Sequence, residues 1–537
     1  MTDDAIDVID AIVIGAGFAG LYAVHRAASA GLSVLGIEAA PGVGGTWYWN
    51  RYPGARCDVE SVDYSYSFDE DLQNGWTWTE RFAAQPEILA YLEHVADRFD
   101  LGRHYRFGTE VVGARFDAAR AQWVVDTSSG VSHRARFLLC ATGCLSKVNR
   151  PDIPGLSEFA GEVYFTAAWP RDDPDLRGKR IGVIGTGSSG IQAIPILAAQ
   201  ADSLVVFQRS PNYTIPMPNH PWAPEDLHRI RQEYPERRRR SAYAAAGTPH
   251  GTYHKNAVDT DPEEREQALW RRWREGGVLF AKTFPDQTTD LAANDIARRF
   301  AEDRIREIVA DPAVAADLTP VDHPIGAKRI CTDAGYYATF NRENVRLVNL
   351  RREPIDAVTP DGVRTTAATY PCEVLVFATG FDALTGALMR IDPVGPRGDR
   401  LSDVWADGPI TFLGVMVPGL PNFFSFSGPG SPSVLANMVL HAEVQVDWAL
   451  ELMLTATNRG LTEVEPRRDA ADAWTEHLAE AAERTLFTKA ESSWYLGANI
   501  PGKKRVFMPY AGGFGNYRRY CDEVAGSDYA GLVLTSR

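Results

Sequence analysis

Two glycine-rich loops carry the first chemistry legible in this chain. Gly15-x-Gly17-x-x-Gly20 follows the apolar run IVI and opens a stretch of helical spacing, and the unit at residues 8–38 closes on the run LSVLGIE. In such a unit the first glycine permits a tight turn, the second lets backbone approach a pyrophosphate, and the third lets helix and strand pack closely. The N–H groups at the start of the following helix face the phosphates. Glu38 ends the second apolar run, where a carboxylate can accept both ribose hydroxyls of a dinucleotide. The other loop, Gly185-x-Gly187-x-x-Gly190, lies in KRIGVIGTGSSGIQAIPILAAQADSLVVFQRS, which begins at residue 179. Its second apolar run leads into Arg209 instead of an acid. A guanidinium binds a 2′-phosphate in bidentate fashion where a carboxylate would repel it, so this unit is expected to prefer NADPH to NADH.

Two such units in one chain imply two bound dinucleotides, a flavin in the first and, in the second, the nicotinamide that reduces it. The runs LLCATG (138–143) and LVFATG (375–380) each read as a buried strand ending in a small-residue turn beside a nucleotide. They mark where the chain leaves and re-enters the flavin unit. Val111, in GTEV, is expected on a strand whose backbone meets the adenine. The expected fold class is α/β, with two Rossmann-like dinucleotide-binding domains, the second inserted in the first, plus a helical insertion. The flavin domain is assigned 1–150 and 379–537, the nicotinamide domain 151–215 and 327–378, and the helical insertion 216–326. PERRRRSAYAAAG (235–247) reads as a solvated helix face with acidic neighbours, and DAADAWTEHLAEAAERTLF (469–487) as an amphipathic support helix.

A chain of 537 residues exceeds what one hydrophobic core supports. Its net charge of −15 argues against a broad nucleic-acid or anionic-lipid surface. The N-terminus MTDDAIDVID carries acids where a secretory signal would carry basic residues, and AIVIGAGFAGLYAV is too short to span a bilayer. The six cysteines form no C-x-x-C, which excludes a zinc ribbon or a dithiol redox pair, and a reducing cytoplasm is expected. No metal site is expected. The chain is expected to be a monomer or weak homo-oligomer.

The segments GGTWYWNRYPGARCD (44–58), FAGEVYFTAAWP (159–170), AKRICTDAGYYATFNR (327–342), ATGFDALTGAL (378–388), GPGSPSVLANM (428–438) and WYLGANIPGKKRVFMPY (494–510) resemble the type I Baeyer–Villiger monooxygenases. The resemblance runs along essentially the whole chain and looks closest to the phenylacetone monooxygenase branch, with cyclohexanone monooxygenases further off. It implies an FAD enzyme that uses NADPH and O2 to convert ketones to esters or lactones through a flavin C4a-peroxide, with sulfides as a further substrate class. Arg329, in AKR, matches the family's catalytic arginine, and Asp58 is expected to orient it or the nicotinamide amide. Thr46, Trp47, Trp49, Asp58, Tyr64 and Met438 match flavin contacts, joining Gly15, Gly17, Phe18, Gly20, Glu38 and Val111. The nicotinamide side draws on Arg56, Gly185, Thr186, Gly187, Ser188, Ser189, Gly190, Gln192, Gln208, Arg209, Lys328 and Arg329, with Lys328 a second contact to the 2′-phosphate. Trp494 matches a mobile loop, near 494–510, that closes over the nicotinamide.

One position departs from the family pattern F-x-G-x-x-x-H-x-x-x-W-P. Phe159, Gly161, Trp169 and Pro170 are in place, but Phe165 stands where histidine is expected. In the family this histidine is taken to hydrogen-bond within an interdomain linker. Phenylalanine keeps a ring and loses the donor, the acceptor and the titratable proton. Coupling of NADPH use to product, rather than flavin binding, is therefore what Phe165 puts in question. Rival readings are a related flavin enzyme oxidising nitrogen or sulfur, an uncoupled NADPH oxidase, and a silent flavin-binding protein. Trp169-Pro170 argue against the nitrogen and sulfur enzymes, and the retained Asp58, Lys328 and Arg329 argue against silence.

Overall fold

The computed structural model describes residues 9–490 and 492–536. The first strand is Ile9–Ile14, and Val8, the expected start of the unit, lies outside the described residues. Ala11, Ile12 and Val13 are wholly buried, as strands covered on both faces must be. Alternate residues serve different cores: Ala11 and Val13 pack in one apolar cluster, Ile12 and Ile14 in another.

This strand lies at the middle of a seven-stranded sheet. Val34–Ile37 and then Tyr105–Arg106 flank it on one side, both parallel. On the other side Ser132–Cys140 pairs in parallel and continues antiparallel into Gln122–Thr127 and Val111–Asp117. Phe423–Ser425 returns across more than half the chain to pair in parallel with Ser132–Cys140. The sheet that begins at residue 9 is thus completed only after the second unit has been threaded through it.

The second unit is a five-stranded, all-parallel sheet. Its order is Val345–Asn349, Ser203–Gln208, Arg180–Ile184, Val374–Phe377, Glu162–Phe165. The strand of LVFATG therefore belongs to this sheet. Here too the faces divide: Val374 and Val376 enter one cluster, Leu375 and Phe377 another.

Between the two halves of this unit come the helices Pro224–Tyr243, Pro262–Glu275, Leu291–Ile308 and Pro312–Leu318. The arginine run on the first of these corrects the expectation of a solvated face. Arg237 turns inward and makes a bidentate pair with Asp63 (2.7 and 2.8 Å) and a 2.7 Å bond to Glu60. Arg238 donates to Ser65 Oγ at 2.8 Å and Gln73 Oε1 at 3.0 Å. Arg239, paired with Glu236 on its own helix, and Arg240 are exposed, so the expected solvated face holds for half of the run. The run is a clamp between the insertion and residues 60–73. Arg468–Glu483 forms the expected amphipathic helix and buries Ala471, Trp474, Leu478 and Ala482 on one stripe. No helix among the described residues is long and apolar enough to cross a membrane.

Asp63 is 1% exposed, so removing its cation would strand a buried charge. Arg237→Met is expected to destabilise the fold by about 3 kcal/mol, read as a lowered denaturant midpoint. An unchanged midpoint would return the arginine run to the role of a solvated face.

Candidate active site

The two glycine loops are built alike. Gly15 and Gly185 both take φ +108°, a region that side chains avoid. A Cβ on Gly15 would lie 2.4 Å from the Ala141 carbonyl oxygen, and one on Gly185 would lie 2.5 Å from that of Ala378. Each loop is therefore seated against the ATG turn of its own sheet. Gly20 and Gly190 serve packing: a Cβ there would collide with the carbonyl oxygen of Gly15 or Gly185.

A continuous cavity of about 1070 Å³ runs along both loops. Every residue expected on the flavin side lines it except Gly20, and every one on the nicotinamide side except Gly190 and Gln208. Gln208 is a correction. Its side chain is buried and its amide donates to the Asp317 carbonyl oxygen at 2.7 Å, away from the cavity. On a strand, neighbouring side chains point to opposite faces, so Arg209 reaches the cavity and Gln208 does not.

Glu38 meets the sequence expectation with one addition. Its carboxylate already accepts N–H groups from Ala16 and Ala40, each at 2.7 Å. Two acceptor positions remain for a ribose. Burial raises its proton affinity, and the backbone bonds oppose that rise. The glycine turns, the oriented helix N-termini and the free half of this carboxylate fit a dinucleotide at each loop.

The segment 44–58 reaches from the first unit to the second. Gly54 has φ +85°, and a Cβ there would meet the Gln192 carbonyl oxygen at 2.5 Å, so only glycine lets this turn touch the helix Ser188–Gln200. Tyr52 donates its hydroxyl to Gln192 Oε1 at 2.8 Å, and Gln192 in turn donates to the Arg56 carbonyl at 3.1 Å. Trp47 donates its indole N–H to Tyr64 at 3.2 Å, fixing both rings at the cavity wall.

At the junction lies the charge pair expected from the sequence. Arg329 Nε donates to Asp58 Oδ2 at 3.0 Å, and its NH2 reaches Oδ1 and Oδ2 at 2.7 and 2.8 Å. NH1 donates to the Val434 carbonyl at 2.6 Å. Burial alone would loosen the guanidinium proton; the Asp58 charge and hydrogen bonds, together with Tyr495 and Cys57, outweigh it, and the net shift is upward. Arg329 is a fixed cation. Its backbone is held by Asn212, whose amide donates to the Arg329 carbonyl at 2.8 Å. Lys328 donates to Ser492 Oγ at 3.1 Å, and Trp494 lines the cavity nearby. Sequence reading did not single out Asn149, Asn212 or Tyr495. The turn after LLCATG was an available signal for Asn149, whereas Asn212 acts on the Arg329 backbone and leaves none, and Tyr495 is a side-chain hydrogen-bond partner of Arg329.

Phe165 is the last residue of an edge strand, in register with Phe377, rather than part of an irregular connection. The two rings stack at 5.0 Å, and the Arg150 guanidinium sits 4.4 Å from the Phe165 centroid. One neighbour of this contact, Asn149, lines the cavity and bonds to Thr379 and Gly380 backbone; the other, the buried Thr166, has its Oγ1 2.9 Å from Ser189 Oγ in the second glycine loop, which does line it. Gly161 is required because a Cβ would lie 2.3 Å from the Glu373 carbonyl, and Trp169 donates to Asp173 at 3.2 Å.

Paired glycine loops on inserted parallel sheets, facing one cavity, define a two-dinucleotide oxidoreductase. Residues 9–229 match the family described as pyridine nucleotide-disulphide oxidoreductase. A Baeyer–Villiger monooxygenase of Pseudooceanicola batsensis is 41% identical over 530 residues, covering 98% of this chain and 96% of its own. Among solved structures, an oxidised steroid monooxygenase bound to NADP is 53% identical at TM-score 0.95, covering 99% of this chain and all of its own. Cyclohexanone monooxygenase from Rhodococcus sp. Phi1, bound to NADP+, is 43% identical at TM-score 0.96, covering 99% of each chain. The chain belongs to the Baeyer–Villiger monooxygenase family.

A histidine at position 165 would give Arg150 a poorer platform, forfeiting part of a cation–π contact of about 1–2 kcal/mol. Phe165→His is expected to lower the thermal midpoint and to raise product formed per NADPH, with flavin content constant. A lowered midpoint with unchanged coupling would reduce Phe165 to packing.

Proposed function

We propose that the chain is an FAD-dependent, NADPH- and O2-consuming Baeyer–Villiger monooxygenase that turns ketones into esters or lactones. The observation that carries this reading is the bidentate Asp58–Arg329 pair where the two nucleotide units meet. Bound FAD, reduced by NADPH, would supply the oxygen transfer. The first loop, with Glu38, Trp47 and Tyr64, would hold the flavin; the second loop, with Arg209 and Lys328, would hold the nicotinamide dinucleotide.

The protein's own contribution is charge and position. Asp58 engages Nε and NH2 of Arg329, and Val434 takes one NH1 hydrogen. Tyr495 is a further side-chain hydrogen-bond partner of Arg329, and the guanidinium so held would be a permanent cation for negative charge developing on the ketone oxygen. Trp494 and the glycines Gly497 and Gly502, both at positive φ, suit a segment that closes over the site and excludes water. Six free, buried cysteines suit a reducing compartment such as the cytoplasm. The chain would act as a monomer or weak homo-oligomer.

Arg329→Ala is expected to leave reduction of the flavin by NADPH intact and to cut ester formation by more than about 100-fold. Stopped-flow reduction together with product chromatography checks this, and retained ester formation would remove Arg329 from the chemistry. Arg209→Ala should raise KM for NADPH roughly tenfold through loss of a charge-assisted contact, with little change for NADH. An unchanged ratio of the two KM values would refute the 2′-phosphate role.

A further inference from the structure

A second cavity, of about 510 Å³, also borders the Asp58–Arg329 pair and shares both residues with the first. Its walls are unusually charged, and their charges do not balance. The carboxylates at its wall all have partners: Asp58 pairs with Arg329, Glu60 with Arg81 and Arg237, Asp63 with Arg237, and Glu275 with Arg272. The cations are not all matched. Arg240, exposed and one helical turn from Glu236, donates to the Pro249 carbonyl at 2.6 Å and makes no ion pair among the described residues. Lys282 has neither a hydrogen bond nor an ion pair among the described residues.

The backbone of Lys282 is firmly anchored. It ends the short helical turn Val278–Lys282, whose Phe280 is wholly buried in an apolar cluster with Ala281 and Phe284. Gln287 and Thr283 both donate to the Phe280 carbonyl, at 2.9 Å each. The turn that carries the ammonium is anchored in that core, and Lys282 itself is partly buried. Burial lowers its proton affinity. A partly desolvated ammonium without a counter-charge among the described residues is costly, and a ligand anion relieves that cost.

We propose that Lys282 is a specificity-determining residue that receives an anionic group at the far end of the substrate, so that the preferred ketones are keto acids whose carbonyl lies beside Arg329. Arg240 supplies a second cation on the same wall. The inference rests on the reading that the ketone reacts at Arg329. It adds what that reading lacks, a chemical class for the rest of the substrate. A carboxylate meeting Lys282 gains a charge-assisted bond, while the same chain capped as a methyl ester leaves the ammonium unpaired.

The test uses FAD-loaded enzyme and three pairs of probes: 5-oxohexanoate, 7-oxooctanoate and 9-oxodecanoate, each beside its methyl ester. Calorimetric Kd is measured on the oxidised holoenzyme, and kcat/KM in turnover. One chain length is expected to bind and react better as the acid than as the ester. In Lys282→Met the acid-to-ester ratio should fall about tenfold in both measurements, and Lys282→Arg should retain it. A purely structural role for Lys282 would weaken acid and ester together and leave the ratio constant, which would overturn the proposal. No acid preference at any length in the unmodified enzyme would overturn it equally. Acid-selective binding that depends on Lys282, with no oxygenated product from any probe, would support the anion site and refute the oxygenase reading instead.

Discussion

The Asp58–Arg329 pair joins residues 271 positions apart in the chain, and the rest of the structure can be understood as what is needed to bring them together. Asp58 ends a segment that leaves the first sheet's nucleotide loop; Arg329 stands where the chain returns from the helical insertion to the second unit. A carboxylate and a guanidinium matched fork to fork are strong only when geometry is fixed, because each has been taken from water. That fixation comes from both sides: Gln192 and Tyr52 tie the 44–58 segment to the second unit, and Asn212 holds the Arg329 backbone. The pair therefore senses the relative position of two nucleotide sites.

Much of this was legible because it depends on residues that local geometry forces. Gly15 and Gly185 have no tolerated substitute at φ +108° against a carbonyl 2.4–2.5 Å from the absent Cβ, so their spacing records the turn itself. Alternating burial in two clusters follows from apolar runs in parallel strands, and the inserted topology follows from two ATG turns in the right order. Glu38 and Arg209 stand at strand ends, where side-chain type is set by what the loop must meet. These are short-range constraints, and sequence records them well.

What escaped sequence reading is long-range. Gln208 has a polar side chain next to a cavity residue, and only the alternation of the strand decides that it faces Asp317 instead. The four arginines look like a solvated face by composition, and nothing local reveals that Asp63 and Glu60 wait across the fold for Arg237. Phe165 is similar. Its departure from the family pattern was visible, but its compensation, a guanidinium 4.4 Å above the ring, comes from Arg150 on a neighbouring segment. A cation–π contact has no sequence spacing to betray it.

The arginine clamp also bears on the central pair. Glu60 and Asp63 lie two and five residues after Asp58, and Arg237 grips both from the insertion. Buried ion pairs of this kind contribute little net stability compared with an apolar core of the same volume. Their effect is directional, because a bidentate guanidinium defines the position of a carboxylate in distance and in plane. Fixing Glu60 and Asp63 limits where the short stretch before them can go, and so limits Asp58. The insertion thus acts at the site from a distance, setting the carboxylate that sets the arginine. Its own residues Lys282 and Arg240 line a cavity that borders the same pair. One element of the fold therefore holds the geometry of the Asp58–Arg329 pair and contributes charge to the wall beside it.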